Sequence, residues 1–371
     1  MPRPSKGPRL YLDPAERVWI IRDGSSKRRT GCREDERDRA TQALAEYITE
    51  KYQPVRDNRP DRLHVEDVLT FYLREIAPGQ KASATSAYAA QRLLDWWSGK
   101  KLSDVKRSTC QQYVAFRIAQ PRPQAKTEAA KARRVSMETV RRELTVLRAA
   151  INAYHAENML DAVPTVTLPP AAPPRSRWLT RGEIAAFIRT ARSHPDKDAG
   201  RALIRFILLG VYTGTRSGAV RDLQWMPSTT GGWVDVASGV IHRRPEGAVE
   251  TRKRRPPVKI PRRLLGHMRR WKAVDEAVPE RPRHVVHYEG GAVESQRRSW
   301  DWCREVAGLG PDVTPHILRH TAATWLMQAG GDPWEVAGYL GMSHAMLCEV
   351  YGHHHPDFQR SVADRIGRKP A

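Results

Sequence analysis

Two arginines, a histidine and a tyrosine lie in the second half of the chain in an order that suits one reaction. Arg216 closes the run Thr213-Gly214-Thr215-Arg216. Further on comes His316-Ile317-Leu318-Arg319-His320, then a Leu340-Gly341 turn, then Tyr351 with His353, His354 and His355 just after it. Two guanidinium forks can each grip a non-bridging phosphate oxygen in a bidentate way that lysine does not reproduce. A histidine can donate a hydrogen bond or manage a proton near neutral pH. A phenol can serve as the nucleophile of a covalent intermediate. The chemistry implied is transfer of a phosphodiester onto a tyrosine.

The elements around these residues must hold them together. Gly214 is placed to end one helix and Arg216 to begin the next, where a helix N-terminus adds positive potential for a phosphate. His316 and Arg319 are three residues apart and share a helix face. Each motif alone is ordinary: an isolated TGxR is usually a surface arginine, and such helix pairs are common. Between them, 233–259 is β-like, with a turn at Ser238-Gly239 and a basic hairpin, Thr251-Arg252-Lys253-Arg254-Arg255-Pro256-Pro257-Val258-Lys259-Ile260-Pro261. The adjacent histidines His353–His355 point in different directions and lack carboxylate or thiolate partners, so no metal site is expected there.

The rest of the chain divides into further parts. The fold class is mainly α with small β-sheets (α+β). A small sheet plus one helix occupies 1–56, either a packing appendage or a second nucleic-acid-binding module for an arm site; a helical domain follows at 60–163, a Pro-rich linker at 164–176 and a mixed α/β domain at 177–371. Asp13-Pro14 and Asp23-Gly24 mark turns between short strands, with Arg28 and Arg29 in the third piece. In the helical domain, Ser136 is placed to cap a helix whose apolar stripe is Val140, Leu144, Leu147, Ile151 and Tyr154. The opposite face carries Arg141, Arg142 and Arg148, and the segment before it carries Lys126 and Lys131. These are candidate DNA-backbone contacts; the plainer alternative is a solvated charged face. After the linker, Thr180 and Glu183 form a capping-box pair. Trp325 and Trp334 are expected to pack the helices between Arg319 and Tyr351.

Composition narrows the partner. The 371 residues carry 63 Lys+Arg against 41 Asp+Glu, a formal net charge of +22, which favours a polyanion such as nucleic acid. A membrane surface is disfavoured because no apolar run is long enough to span a bilayer. The start, MPRPSKGPRLYLD, has no apolar core of a signal peptide. Four scattered cysteines, without a CxxC pair, read as reduced thiols. A cytoplasmic, nucleoid-associated bacterial protein is the expectation.

In order and spacing, TGTR, a basic hairpin, HILRH, LG and a tyrosine ten residues after that glycine, the chain resembles the tyrosine recombinases, or phage-type integrases, over roughly 176–357. The resemblance implies catalytic roles for Arg216, His316, Arg319 and Tyr351, and places the family's hairpin lysine at Lys253, with Arg252, Arg254 and Lys259 as rivals. It implies a site-specific recombinase that works through a 3′-phosphotyrosyl intermediate, needing no cofactor or metal. It would act as a tetramer on double-stranded attachment sites, with its helical and catalytic domains clamping DNA from opposite faces. Accessory DNA-bending or directionality proteins, and a prophage or genomic island as the element moved, follow from the same resemblance. One position departs: the family has His or Trp after Leu-Gly, and here Met342 stands there. A thioether donates no hydrogen bond, so either the site manages without that donor or a neighbour such as His344 or His353 supplies it. The rival readings are a type IB-like topoisomerase and a non-enzymatic DNA-binding regulator.

Overall fold

The computed structural model describes residues 7–51, 58–80, 83–121, 134–172, 177–249, 254–356 and 358–363. It divides into two units, 1–173 and 174–371. In the first, β1 (Arg9–Leu12), β2 (Val18–Asp23) and β3 (Ser26–Arg33) form an antiparallel sheet in that order. The β2–β3 turn is built on Asp23 and Gly24, as its sequence indicates. Helix α1 (Arg37–Lys51) follows. Ala40, Leu44 and Ile48, four residues apart, are fully buried on one face. With Ile21 of β2, Leu44 and Ile48 enter the same hydrophobic core as the helices after them.

Those helices are α2 (Val65–Phe71, continued by a wide turn through Ile76), α3 (Ser83–Trp97), α4 (Arg107–Ile118) and α5 (Met137–Asn158). The Ser136 hydroxyl caps α5 by accepting from Thr139 N, and the whole expected stripe is buried. Where the stripe is interrupted by charge, the charge is satisfied: buried Glu143 takes a bidentate fork from Arg117 and the Tyr113 hydroxyl. Val166 and Leu168 of the Pro-rich segment pack on this core, so its first half belongs to the helical unit.

The second unit opens with α6 (Arg181–Arg192), whose Thr180–Glu183 capping box is formed as the sequence indicates. Then come α7 (Lys197–Thr213), α8 (Ser217–Arg221), the antiparallel strands β4 (Trp233–Asp235), β5 (Val240–His242) and β6 (Val258–Lys259), and α9 (Arg262–Ala277). A short hairpin, β7 (His287–Tyr288) and β8 (Gly291–Ala292), precedes α10 (Arg297–Val306), α11 (Ile317–Gln328), α12 (Pro333–Leu340) and α13 (His344–Tyr351). Helix α11 is central, with Ile317, Leu318, Thr321, Ala322, Ala323 and Met327 all buried. A Cβ on Gly210 of α7 would sit 2.7 Å from the Leu318 side chain, so this glycine lets α7 and α11 approach closely. Trp325 is partly buried under the Arg181 guanidinium, 4.4 Å from its ring centre. Trp334 is 75% exposed at the start of α12, contrary to the expectation that it packs these helices. It occupies the second helical position, on the solvent side of that turn. No helix of the described residues is long and apolar enough to cross a membrane.

One buried ion pair ties α7 to α9. Asp275 accepts from both Arg205 nitrogens, at 2.6 and 2.8 Å, from Trp225 Nε1 at 2.8 Å, and faces His287 Nε2 at 3.2 Å. Burial alone would raise the Asp275 pKa; the bonds from His287, Arg205 and Trp225 outweigh it and hold it at about 2. Asp275→Ala strands a buried guanidinium and should cost roughly 3–5 kcal/mol. Because the native pKa lies below its ordinary 3.8, the wild-type advantage is complete above that value and fades as pH falls toward 2. Denaturant titrations of both proteins at neutral and acid pH check this; equal stability at neutral pH would remove the pair from the fold's supports.

Candidate active site

Arg216 is presented by a sharp reversal between α7 and α8. Gly214 takes a left-handed φ of +60°, and a Cβ there would meet Leu340 at 2.2 Å, so both conformation and space require glycine. Thr213 and Thr215 hydroxyls bond across the turn at 2.6 Å. Arg216 then stands at the N-cap of α8, its side chain free of capping duty. Its Nη1 donates to the Arg254 carbonyl at 2.9 Å and its Nη2 to the Gly341 carbonyl at 3.4 Å. Arg319, on the first turn of α11, donates to Gly214 O at 2.8 Å, Leu340 O at 2.6 Å and Gly341 O at 3.5 Å. The two forks thus meet at one carbonyl. Gly341 makes this possible with a left-handed φ of +66° that turns the chain from α12 into α13.

A third guanidinium lies in the same pocket. Arg243 follows β5, is 3% exposed, and donates to Tyr339 O at 2.7 Å and to Thr213 O. Among the described residues no carboxylate pairs with Arg216, Arg243 or Arg319; their partners are neutral carbonyls. Burial, with repulsion from Arg216 and Arg243, pulls the Arg319 pKa down to about 9. Burial and Arg255 lower that of Arg216. Cations held so are stabilised by an incoming anion, and guanidiniums aimed at one point suit a phosphate.

Tyr351 ends α13, 7% exposed. Burial raises its pKa above 10, with Arg319 pulling the other way. Its hydroxyl lies 2.6 Å from His320 Nδ1. A phenol with a raised pKa keeps its proton, so it donates and Nδ1 accepts, which leaves the imidazole proton on Nε2. His316, just before α11, is exposed and packs edge-on against His320 at 5.0 Å between ring centres. The structure therefore gathers Arg216, Arg319, His316 and Tyr351, and puts His320, not His316, at the phenol. Met342 is half-buried against α11–α13. His344 is exposed with its ring beside Cys348, and exposed His353 lies against His354, which stacks on Trp178. Neither His344 nor His353 bonds to the two arginines or the tyrosine, so neither replaces the missing donor in this conformation.

Lys253 and its rival Arg252 lie outside the described residues, as do Lys126 and Lys131. The hairpin still touches the site, through the Arg254 carbonyl under Arg216, while Lys259 is exposed on β6. Among the candidate DNA contacts of the first unit, Arg142 and Arg148 are exposed on α5, and Arg141 donates to Pro169 O. Arg28 pairs with Glu50 and Arg29 with Glu16 at the surface. No group of three potential metal ligands occurs among the described residues. Sequence analysis missed His320 and Arg243. For Arg243 the signal was strand alternation: two residues from buried Ile241, it falls on the apolar face of β5.

Residues 177–357 match the family model described as the phage integrase family. A tyrosine recombinase XerD of Corynebacterium glutamicum is 41% identical over 80 residues, 21% of this chain and 26% of that protein, so the chain spans only about a quarter of that relative's length there. A XerC of Xylella fastidiosa is 24% identical over 302 residues, 80% of this chain and 92% of the relative. Among solved structures, the Tn1549 transposon integrase in complex with transposon right end DNA superposes at a TM-score of 0.60, with 15% identity over 82% of this chain and all of that one. A lambda integrase tetramer bound to a Holliday junction gives 0.56, with 17% identity over 98% of this chain and 97% of that one. At such identities these two carry the fold.

The burial of Tyr351 has a direct readout. In protein labelled with [¹³Cζ]tyrosine, the resonance missing from Tyr351→Phe should titrate above the ordinary tyrosine value of about 10. Titration at or below that value would mean that Arg319, not burial, governs the phenol.

Proposed function

We propose that the chain belongs to the phage integrase family, whose model its residues 177–357 match, and that it exchanges DNA strands at specific sites, with Tyr351 as nucleophile. The observation that carries this reading is the meeting of the Arg216 and Arg319 forks at one carbonyl, without a carboxylate partner among the described residues, with Tyr351 near enough to Arg319 to feel its charge. The Tyr351 oxygen attacks a backbone phosphorus. Its proton has an acceptor in place at His320 Nδ1. The two arginines take up the charge gathering on the non-bridging oxygens, a preorganised electrostatic stabilisation. His316, exposed and packed against His320, is the proposed further donor to the same phosphate. The 5′ oxygen leaves with a proton, for which Lys253 is the proposed general acid. The 3′-phosphotyrosyl ester keeps the bond energy, and a 5′-hydroxyl of a partner strand reverses the step. Guanidiniums carry out the charge neutralisation, so the proposal assigns no cofactor.

The partner is double-stranded DNA at attachment sites. Assembly as a tetramer on paired duplexes is proposed from the likeness to the lambda assembly. A prophage or genomic island is the proposed cargo, and accessory DNA-bending or directionality proteins fit the same reading. Arg142 and Arg148 on α5 are proposed backbone contacts, together with Lys126 and Lys131. On β3, Arg28 and Arg29 are proposed to reach a second, outlying site. Their surface ion pairs are solvent-screened and weak, and yield readily to phosphate.

A nicked suicide substrate should trap the wild type as an SDS-resistant adduct. Tyr351→Phe should bind the DNA normally and trap nothing. Arg216→Lys and Arg319→Lys should each slow trapping by about 10²–10³ with little change in affinity. Adduct from the phenylalanine variant would assign the nucleophile elsewhere, and a non-covalent regulator would trap no DNA at all.

Surface substitution tests the outlying contact better than truncation, because removing α1 would uncover the core that Leu44 and Ile48 help build. Lys27→Ala, Arg28→Ala and Arg29→Ala combined should leave core-site cleavage intact and abolish footprint protection outside the core. Unchanged protection would reduce the sheet to a packing element.

A further inference from the structure

Arg243 is a buried cation with no carboxylate partner among the described residues. Its Nε is buried without a hydrogen-bond partner, and its forked nitrogens meet only carbonyls. Burial pulls its pKa down to about 10, with Arg216 adding repulsion and Tyr339 opposing both. Replacing a buried charge by an apolar side chain of similar volume is often neutral or stabilising. The position of its two acceptors gives a reason to keep it. Thr213 closes α7 and directly precedes Gly214, whose carbonyl holds Arg319. Tyr339 directly precedes Leu340 and Gly341, whose carbonyls hold Arg319 and Arg216. Tyr339 is itself fastened, its hydroxyl donating to Tyr212 O at 3.1 Å and Lys259 O at 3.2 Å.

We infer that Arg243 is a positioning residue for the phosphate clamp: it ties together the two backbone segments that aim Arg216 and Arg319, and it adds a third positive charge behind them. This rests on the strand-transfer reading for its role in cleavage, though not for its effect on anion binding. Being buried, it does not touch the phosphate. Its charge raises the affinity of the site for an anion, and the free protein carries the repulsion until one arrives.

The test compares wild type with Arg243→Met, which keeps a stem of similar length and removes charge and donors, and with Arg243→Lys, which keeps the charge. Melting temperature is measured with and without inorganic sulfate, alongside single-turnover trapping on the suicide substrate and DNA affinity. A ligand that binds only the folded state raises its melting temperature. Arg243→Met should melt at or above the wild-type temperature without sulfate and gain less than half of the wild-type sulfate shift. It should trap DNA roughly 10- to 100-fold more slowly, short of the about 10²–10³ that loss of a direct donor costs, at near-normal affinity. Arg243→Lys should recover most of the sulfate shift and part of the rate. Arg243→Met with the full sulfate shift overturns the inference, whether it melts normally or markedly lower; the second case would make Arg243 a structural support only. If wild type traps no DNA, the strand-transfer reading fails, and the sulfate arm still decides whether Arg243 serves an anion site.

Discussion

Positive charge held by carbonyls, with no carboxylate partner among the described residues, is the constraint on which the second unit is built. Three guanidiniums share a pocket and are held by backbone carbonyls of Thr213, Gly214, Tyr339, Leu340, Gly341 and Arg254. A carboxylate would have stabilised them more and blocked them. Carbonyls fix direction while leaving charge available, which is what a site for a developing dianion needs. The contrast with Arg205 and Arg117 is internal to the molecule. Those arginines are fully paired, to Asp275 and Glu143, and they brace the fold.

The local architecture follows from that constraint. Carbonyls inside a helix are already used, so those that hold these arginines come from helix ends and, for Arg254, from a loop. The site therefore sits where α7 and α12 terminate, each with a left-handed glycine, Gly214 and Gly341, that turns the last carbonyls toward the pocket. Helix α11 runs between them and delivers Arg319 and His320 from one turn. Tyr351 comes from the end of α13, close enough for Arg319 to counter the effect of burial on its phenol.

Much of this was legible in the sequence because it rests on local rules. Thr180 with Glu183, Ser136, and Gly214 ahead of Arg216 are capping signals that need no tertiary information, and all three formed. The residue types and order of Arg216, His316, Arg319 and Tyr351 suggested phosphoryl chemistry, and the fold brings Tyr351 and the two arginines near one another. What escaped was set by packing at a distance. His320 reaches Tyr351 because α13 folds back beside α11, which no spacing within HILRH reveals. Arg243 is buried by the sheet and by α12 together, and only alternation from Ile241 hinted at it. Trp334 looked like a packing residue by type, yet its place on the first turn of α12 leaves it in solvent. The N-terminal sheet and helix read as a part of their own, 1–56, yet Ile21, Leu44 and Ile48 share a core with the helices that follow.

The central claim, that this pocket delivers a DNA phosphate to Tyr351, is tested most directly by the chemical structure of the covalent product. The trapped adduct can be digested with protease and nuclease and the nucleotide-bearing peptide sequenced by mass spectrometry. The account requires the nucleotide on Tyr351, joined through a 3′-phosphate, with a free 5′-hydroxyl on the released strand. A nucleotide on any other residue, or a 5′ linkage, would contradict it.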